Sequence, residues 1–293
     1  MTVERVTSLP ALPARPADSH KGTYGRVLLI GGRPGMAGAI SLAGLGALRG
    51  GAGLVDLAIP GSIAAIAGAI EPSYLTRLLP TDEQGELSGQ VLSAITKETD
   101  GKTACGIGPG LGTSEICQQL VSTLYCDCLL PMVFDADALN CLVLRGADLS
   151  VHAGLRILTP HPGEFARLIH SDTGSVQKNR EDLATEFARR HDLVLVLKGH
   201  QTVITDGRRI AINPTGNQGM ATGGTGDVLT GLTTALLAQK MAPFEAAQLA
   251  AFLHGRAGDL AAQTLSEPGL IASDLPRFLG AAWKSVIGTQ PSR

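Results

Sequence analysis

The 293-residue sequence predicts a single-domain α/β fold: a three-layer sandwich with a mostly parallel central sheet, helices on both faces and a β-hairpin at one edge. Three observations carry this. Short, wholly apolar runs recur along the chain, helical segments lie between most of them, and glycine and polar residues gather just after the runs. Strands covered on both faces read as continuous apolar runs rather than alternating ones. Helices between them are the crossovers a parallel sheet needs.

Residues 1–20 carry Pro10, Pro13 and Pro16 and are expected to form an extended arm over the surface. Residues 21–285 are expected to form the one domain, since no repeat, low-complexity tract or linker interrupts them. Arg26–Ile30 is the first strand, ended by Gly31-Gly32. An Ala/Leu/Gly helix from about 37 to 50 and a strand over Leu54–Ile59 follow. Ala104–Ile107, Met132–Phe134, Arg156–Leu158 and Leu193–Leu197 are further strands. Thr202–Ile212 differs, because Asp206-Gly207 is a type I′ turn signal and predicts the edge hairpin. Two helices come next, at about 224–239 and 243–265.

Composition narrows the function. Hydrophobic residues make up 44% and aromatics only 3%, so the core is built from Ala, Leu, Val and Ile. The 37 glycines exceed the usual share of about 7%, which implies tight turns and close backbone approaches. A net charge of −2 with no basic run excludes an electrostatic nucleic-acid binder. Any phosphate binding must be local and made by backbone amides. Cys105, Cys117, Cys126, Cys128 and Cys141 include one Cys-x-Cys but no second Cys/His pair at zinc spacing, consistent with reduced thiols. The first residues lack a signal pattern. The uncharged stretch Pro34–Leu48, about 15 residues, is short of the roughly 20 a membrane span needs. A soluble, cytoplasmic protein is expected.

Parallel sheets bind ligands at the carboxyl ends of their strands. Those ends carry Gly31-Gly32, Gly106–Gly112, Asp135–Asn140, Thr159–Glu164 and Lys198–Thr202. The richest segment is 213–231, in which Gly216, Gly219, Gly223, Gly224 and Gly226 lead into an apolar helix. Amides at a helix N-terminus, aided by the dipole, form an anion site, most naturally for phosphate. No Gly-Lys-Ser/Thr follows, so this is not a P-loop, and the Gly-x-Gly-x-x-Gly spacing is also absent. Asp227 beside such a site repels phosphate and points to a proton acceptor; a plain N-cap is the competing role. Gly108, Gly110 and Gly112 either admit a ligand against the backbone or make a tight turn. Asp135 and Asp137 either hold Mg²⁺ through water or start a helix. His161, set between prolines with Glu164 at the third helical position, faces the ligand edge. Lys198, ending an apolar strand, offers a point charge to a phosphate.

Together, the strings Lys21–Gly32, Gly51–Val55, Gly108–Gly112, Asp135–Asn140, Leu158–Glu164, Leu197–Thr202 and Asn213–Gly231 resemble the ADP-dependent NAD(P)H-hydrate dehydratase family of the ribokinase-like superfamily. Gln218 stands where that family usually shows Pro. The resemblance implies a hydro-lyase of metabolite repair, which phosphorylates the C6 hydroxyl of hydrated NADH or NADPH from ADP with Mg²⁺. It implies Asp227 as base and the amides of Gly223, Gly224 and Gly226 as anion hole. It also implies Ala39, Gly110, Gly112, His161 and Asp227 on the hydrated dinucleotide. Lys198, Gly199, His200, Gln201, Thr202 and Gly226 fall to the adenine nucleotide. A homotetramer, and an NAD(P)H-hydrate epimerase as companion, are likewise implied. A vitamin-precursor kinase shares the Gly-x-Gly-Asp site, but the Thr-Pro-His-Pro-Gly-Glu string favours the dehydratase. A sensor without catalysis is opposed by Asp227, and a Rossmann dehydrogenase by Asp56, which lies inside its strand rather than at the end.

Overall fold

The computed structural model describes residues 3–287, so residues 1–2 of the expected arm lie outside it. Ten strands form one sheet: β1 (Glu4–Arg5), β2 (Arg26–Ile30), β3 (Leu54–Pro60), β4 (Leu75–Leu79), β5 (Ala104–Ile107), β6 (Met132–Phe134), β7 (Arg156–Leu158), β8 (Val194–Leu197), β9 (Val203–Thr205) and β10 (Arg209–Ile212). The order across the sheet is β1-β10-β9-β8-β7-β6-β5-β2-β3-β4, and only β9 runs against its neighbours. Chain order reverses between β5 and β2, which creates a topological switch point.

Helices cover both faces. On one lie α1 (Ala37–Arg49), α2 (Gly61–Ile70), α9 (Thr225–Ala238), α10 (Pro243–Leu265) and α11 (Leu275–Ile287). The other carries α3 (Val91–Thr99), α4 (Glu115–Asp127), α5 (Asp137–Arg145), α6 (Pro162–Leu168), α7 (Thr173–Lys178) and α8 (Arg180–His191). Two aliphatic cores result, one on each face of the sheet, as the continuous apolar runs require. No helix among the described residues is long and apolar enough to cross a membrane.

Three expectations change. The N-terminal arm is not merely draped over the surface, because Glu4 and Arg5 pair in parallel with Arg209 and Ile210 and take the sheet edge from the hairpin. The hairpin turn is not type I′, which needs positive φ at both central residues. Gly207 has φ +80°, but Asp206 is not left-handed; its carboxylate accepts the amides of Arg208 and Arg209 instead. Strand β4 and helix α2 add a further βα unit beyond β3, giving the sheet its other edge.

Packing of α1 on α9 is backbone against backbone. A Cβ at Gly231 would lie 1.7 Å from the Ala43 carbonyl oxygen, and one at Gly46 would lie 2.2 Å from that of Val228. Only glycine permits this approach. At the amino ends of the strands, Asp56 is fully buried and receives Arg26 at 2.7 Å, Arg77 at 2.6 Å and Lys102 at 3.2 Å. Burial alone would raise its pKa, but these three cations hold it at about 2. Asp56 therefore ties strands together and is closed to a ribose.

Candidate active site

The loop entering α9 is fastened from behind by α10. Asn213 Nδ2 donates to the Ala251 carbonyl and Thr215 Oγ1 to that of Phe252. Asp259 accepts the Gly216 amide and Asn217 Nδ2, each at 3.1 Å. His254 Nε2 lies 2.9 Å from the Thr225 carbonyl, and burial drives its pKa down to about 4, so the ring is neutral and donates. The loop ends at Gly224, whose φ of +96° makes it the cap of α9 with no side chain in that role. The first-turn amides are thus left facing outward, as a helix N-terminus leaves them.

Asp227 is the third residue of α9, so the N-cap alternative fails. Its carboxylate makes no hydrogen bond or ion pair among the described residues, and its pKa is raised to about 7. Burial is the largest cause, followed by the like charge of Asp135; Lys198 opposes them, and Asp137 and Glu164 add to the rise. A carboxylate with that pKa and no partner takes a proton readily at neutral pH.

Lys198 turns inward from the end of β8. Its Nζ lies 2.6 Å from Asp135 Oδ1 and 3.8 Å from Glu164 Oε2, and a Cβ on Gly226 would come within 3.2 Å of it. Burial would lower the lysine pKa, but Asp135 and Glu164 raise it, so the ammonium stays charged. Asp135, 1% exposed, also accepts Thr230 Oγ1 at 2.7 Å, so both its oxygens are engaged. Asp137 accepts the Gly112 amide at 2.8 Å through one oxygen. No group of three or more metal-ligating side chains occurs among the described residues. A Mg²⁺ ion here would need nucleotide phosphates and water to complete its shell, with Asp137 and Asp227 the neighbouring carboxylates that have oxygens free.

His161 caps α6. Its Nδ1 accepts the amides of Gly163 at 3.0 Å and Glu164 at 3.3 Å, while Glu164 Oε2 accepts the His161 amide at 2.7 Å. This capping box fixes the ring with Nε2 3.4 Å from Glu164 Oε1. Burial lowers its pKa, as do Lys198 and Arg167. Gly110 packs on α1, where its Cβ would lie 3.1 Å from that of Ala39. Gly199 (φ +131°), His200, Gln201 (φ +53°) and Thr202 form the exposed turn leaving β8, closed by Thr202 Oγ1 on the Gly199 carbonyl.

The structure thus gathers Gly224, Gly226, Asp227, Lys198 and Asp135, with Glu164 joining His161 to them. Ala39, Gly110 and Gly112 form a second group at the switch point, linked to the first through Asp137. Residues 199–202 lie at the rim. His254, Asp259 and Thr230 are support residues absent from the sequence-derived set.

A mostly parallel sandwich with a basic side chain, an uncapped glycine-led helix start and an unpaired carboxylate at its strand ends is a ribokinase-like protein. A ribokinase-like superfamily protein from Enterococcus faecalis superposes with a TM-score of 0.80 at 26% identity, covering 93% of this chain and 91% of that one. The NAD(P)H-hydrate dehydratase family model matches residues 27–278, and the chain belongs to that family. The ADP-dependent (S)-NAD(P)H-hydrate dehydratase of Bacillus subtilis is 39% identical over 93% of this chain and 94% of its own. A crystal structure of the ADP/ATP-dependent NAD(P)H-hydrate dehydratase from B. subtilis, co-crystallized with ATP/Mg²⁺, superposes with a TM-score of 0.80 at 36% identity, covering 94% of each chain. The bifunctional NAD(P)H-hydrate repair enzyme of Moorella thermoacetica is 44% identical over 92% of this chain but 51% of its own. The chain spans about half the length of the bifunctional relatives it matches.

Proposed function

We propose that the domain at residues 21–285 is an ADP-dependent (S)-NAD(P)H-hydrate dehydratase. The observation that carries this is Asp227, unpaired, half-buried and with its pKa raised to about 7, beside the open amides that begin α9. Asp227 takes the proton of the C6 hydroxyl, whose oxygen attacks the β-phosphorus of ADP while AMP departs. The amides of Gly223, Gly224 and Gly226 and the Lys198 ammonium meet the charge on the phosphoryl group in flight. Mg²⁺, when bound, neutralises charge between the nucleotide phosphates. The new ester lies next to the ring nitrogen, whose lone pair expels phosphate; loss of a C5 proton then restores the dihydropyridine. One base and an anion hole suffice, because phosphorylation converts a poor leaving group into a good one.

Ala39, Gly110, Gly112 and His161 are assigned to the hydrated dinucleotide, and Lys198, Gly199, His200, Gln201 and Thr202 to the adenine nucleotide. The bifunctional repair relatives, about twice the length of this chain, support a second repair activity as companion, proposed as an NAD(P)H-hydrate epimerase. Exposed Ile66, Ile70 and Leu78 beside edge strand β4 support self-association, proposed as a tetramer and testable by sedimentation. The function is tested with hydrated NADH, Mg²⁺ and ADP, following the reduced-nicotinamide absorbance. One AMP and one phosphate should form per NADH regenerated. A stable phosphomonoester would instead mark a kinase, and turnover without nucleotide would overturn the mechanism.

A further inference from the structure

At the switch point, the loops leaving β2 and β5 flank one crevice and are bound together, the Gly32 amide donating to the Pro109 carbonyl at 2.8 Å. Arg33 stands in the first loop. It precedes Pro34, which confines its backbone to extended conformations, and its carbonyl accepts the Met36 amide at 2.8 Å. The side-chain stem crosses Gly112, where a Cβ would lie 3.1 Å from Arg33 Cδ and 3.4 Å from Nε. Gly112 therefore makes room for the arginine.

The guanidinium at the end of this fixed stem is unpaired. Arg33 Nε is shut off from solvent with no acceptor, and the group makes no hydrogen bond or ion pair among the described residues. Arg26, Arg77, Arg156, Arg180 and Arg209 all have partners. An arginine keeps its charge at any physiological pH, and a buried unpaired donor calls for an acceptor.

We propose that Arg33 is a specificity-determining residue whose guanidinium binds a phosphate of the hydrated dinucleotide. This role rests on the dinucleotide assignment made above. The rings and riboses of the dinucleotide carry no negative charge, so its phosphates are the groups a guanidinium fork selects. The ADP phosphates are assigned elsewhere: Lys198 Nζ meets Asp135 at the end of β6 with Gly226 beside both, and β2 lies two strands beyond β6, roughly 10 Å at the usual strand spacing.

Calorimetric titration of wild type, Arg33→Ala and Arg33→Lys with NADH, NADPH and ADP tests it without requiring turnover. Arg33→Ala should bind the dinucleotides about ten- to a hundredfold more weakly, the range for a charged hydrogen bond, with ADP unchanged. Arg33→Lys should fall between. Equal losses for NADH and NADPH identify the pyrophosphate as the partner; a loss confined to NADPH identifies the 2′-phosphate. Undiminished dinucleotide binding by Arg33→Ala, or an equal loss for ADP, overturns the role. If the wild type binds ADP but neither dinucleotide, the proposed substrate is wrong and the role falls with it.

Discussion

Replacing Asp227 with Asn should make the protein less active and, at alkaline pH, more stable. The carboxyl rises from 3.8 to about 7 on folding, about 3 units. At about 1.36 kcal/mol per unit this is roughly 4 kcal/mol. The folded state holds the proton more tightly than the unfolded chain. The stabilisation is therefore complete below about pH 4 and is lost as pH rises to about 7. The burial, and the charges of Asp135, Asp137 and Glu164 that outweigh Lys198, press on an ionised Asp227 but not on an amide. Urea unfolding at pH 8 should show the Asn variant more stable by a few kcal/mol, the gap closing toward pH 4. Wild-type kcat/KM should rise with pH and level off above about 7, and loss of the base should cost about 10²- to 10⁴-fold. An active Asn variant would remove Asp227 from the chemistry. One less stable than wild type at pH 8 would refute the account of its surroundings.

Arg156, 1% exposed, donates to the carbonyls of Leu124, Tyr125, Cys128, Leu130 and Leu155. Arg156→Ala should cost about 3 kcal/mol or more in urea unfolding, and Lys should recover little because an ammonium cannot span those acceptors. Gly231→Ala should destabilise by about 1–3 kcal/mol through its clash with Ala43. Gly280→Ala, with open space at its Cβ in α11, should instead stabilise by about 0.5–1 kcal/mol, and thermal melts compare the two. Lys198→Ala should weaken ADP more than the dinucleotide and His161→Ala the reverse. Equal losses in separate titrations would show the cleft wrongly divided.

What could be read from the sequence was local. Strands β2, β3 and β5 to β8 are apolar runs because helices bury both their sides. Strand β4 escaped because it is an edge, with Leu78 exposed and Arg77 turned to Asp56. Strand β1 is two residues long and exists only through its pairing with β10. The His161–Glu164 box is visible because its partners are three residues apart. Asp259 and His254 hold the glycine loop from 29 to 43 residues away, a separation that leaves no spacing signal. Asp135 showed as a carboxylate after a strand. Its ion pair with Lys198 depends on β6 and β8 ending on either side of β7, which only the fold decides.

The contact of α1 with α9 bears on how such a protein can change over generations. Main-chain atoms, not side chains, set the separation of these two helices, one carrying Ala39 and the other Asp227. Exchanges among the aliphatic residues of either core leave that separation alone. The interior is therefore free to drift while the gap in which the chemistry is proposed to occur keeps its width. The steric constraint is concentrated at Gly46 and Gly231, two positions that a search for reactive side chains would pass over.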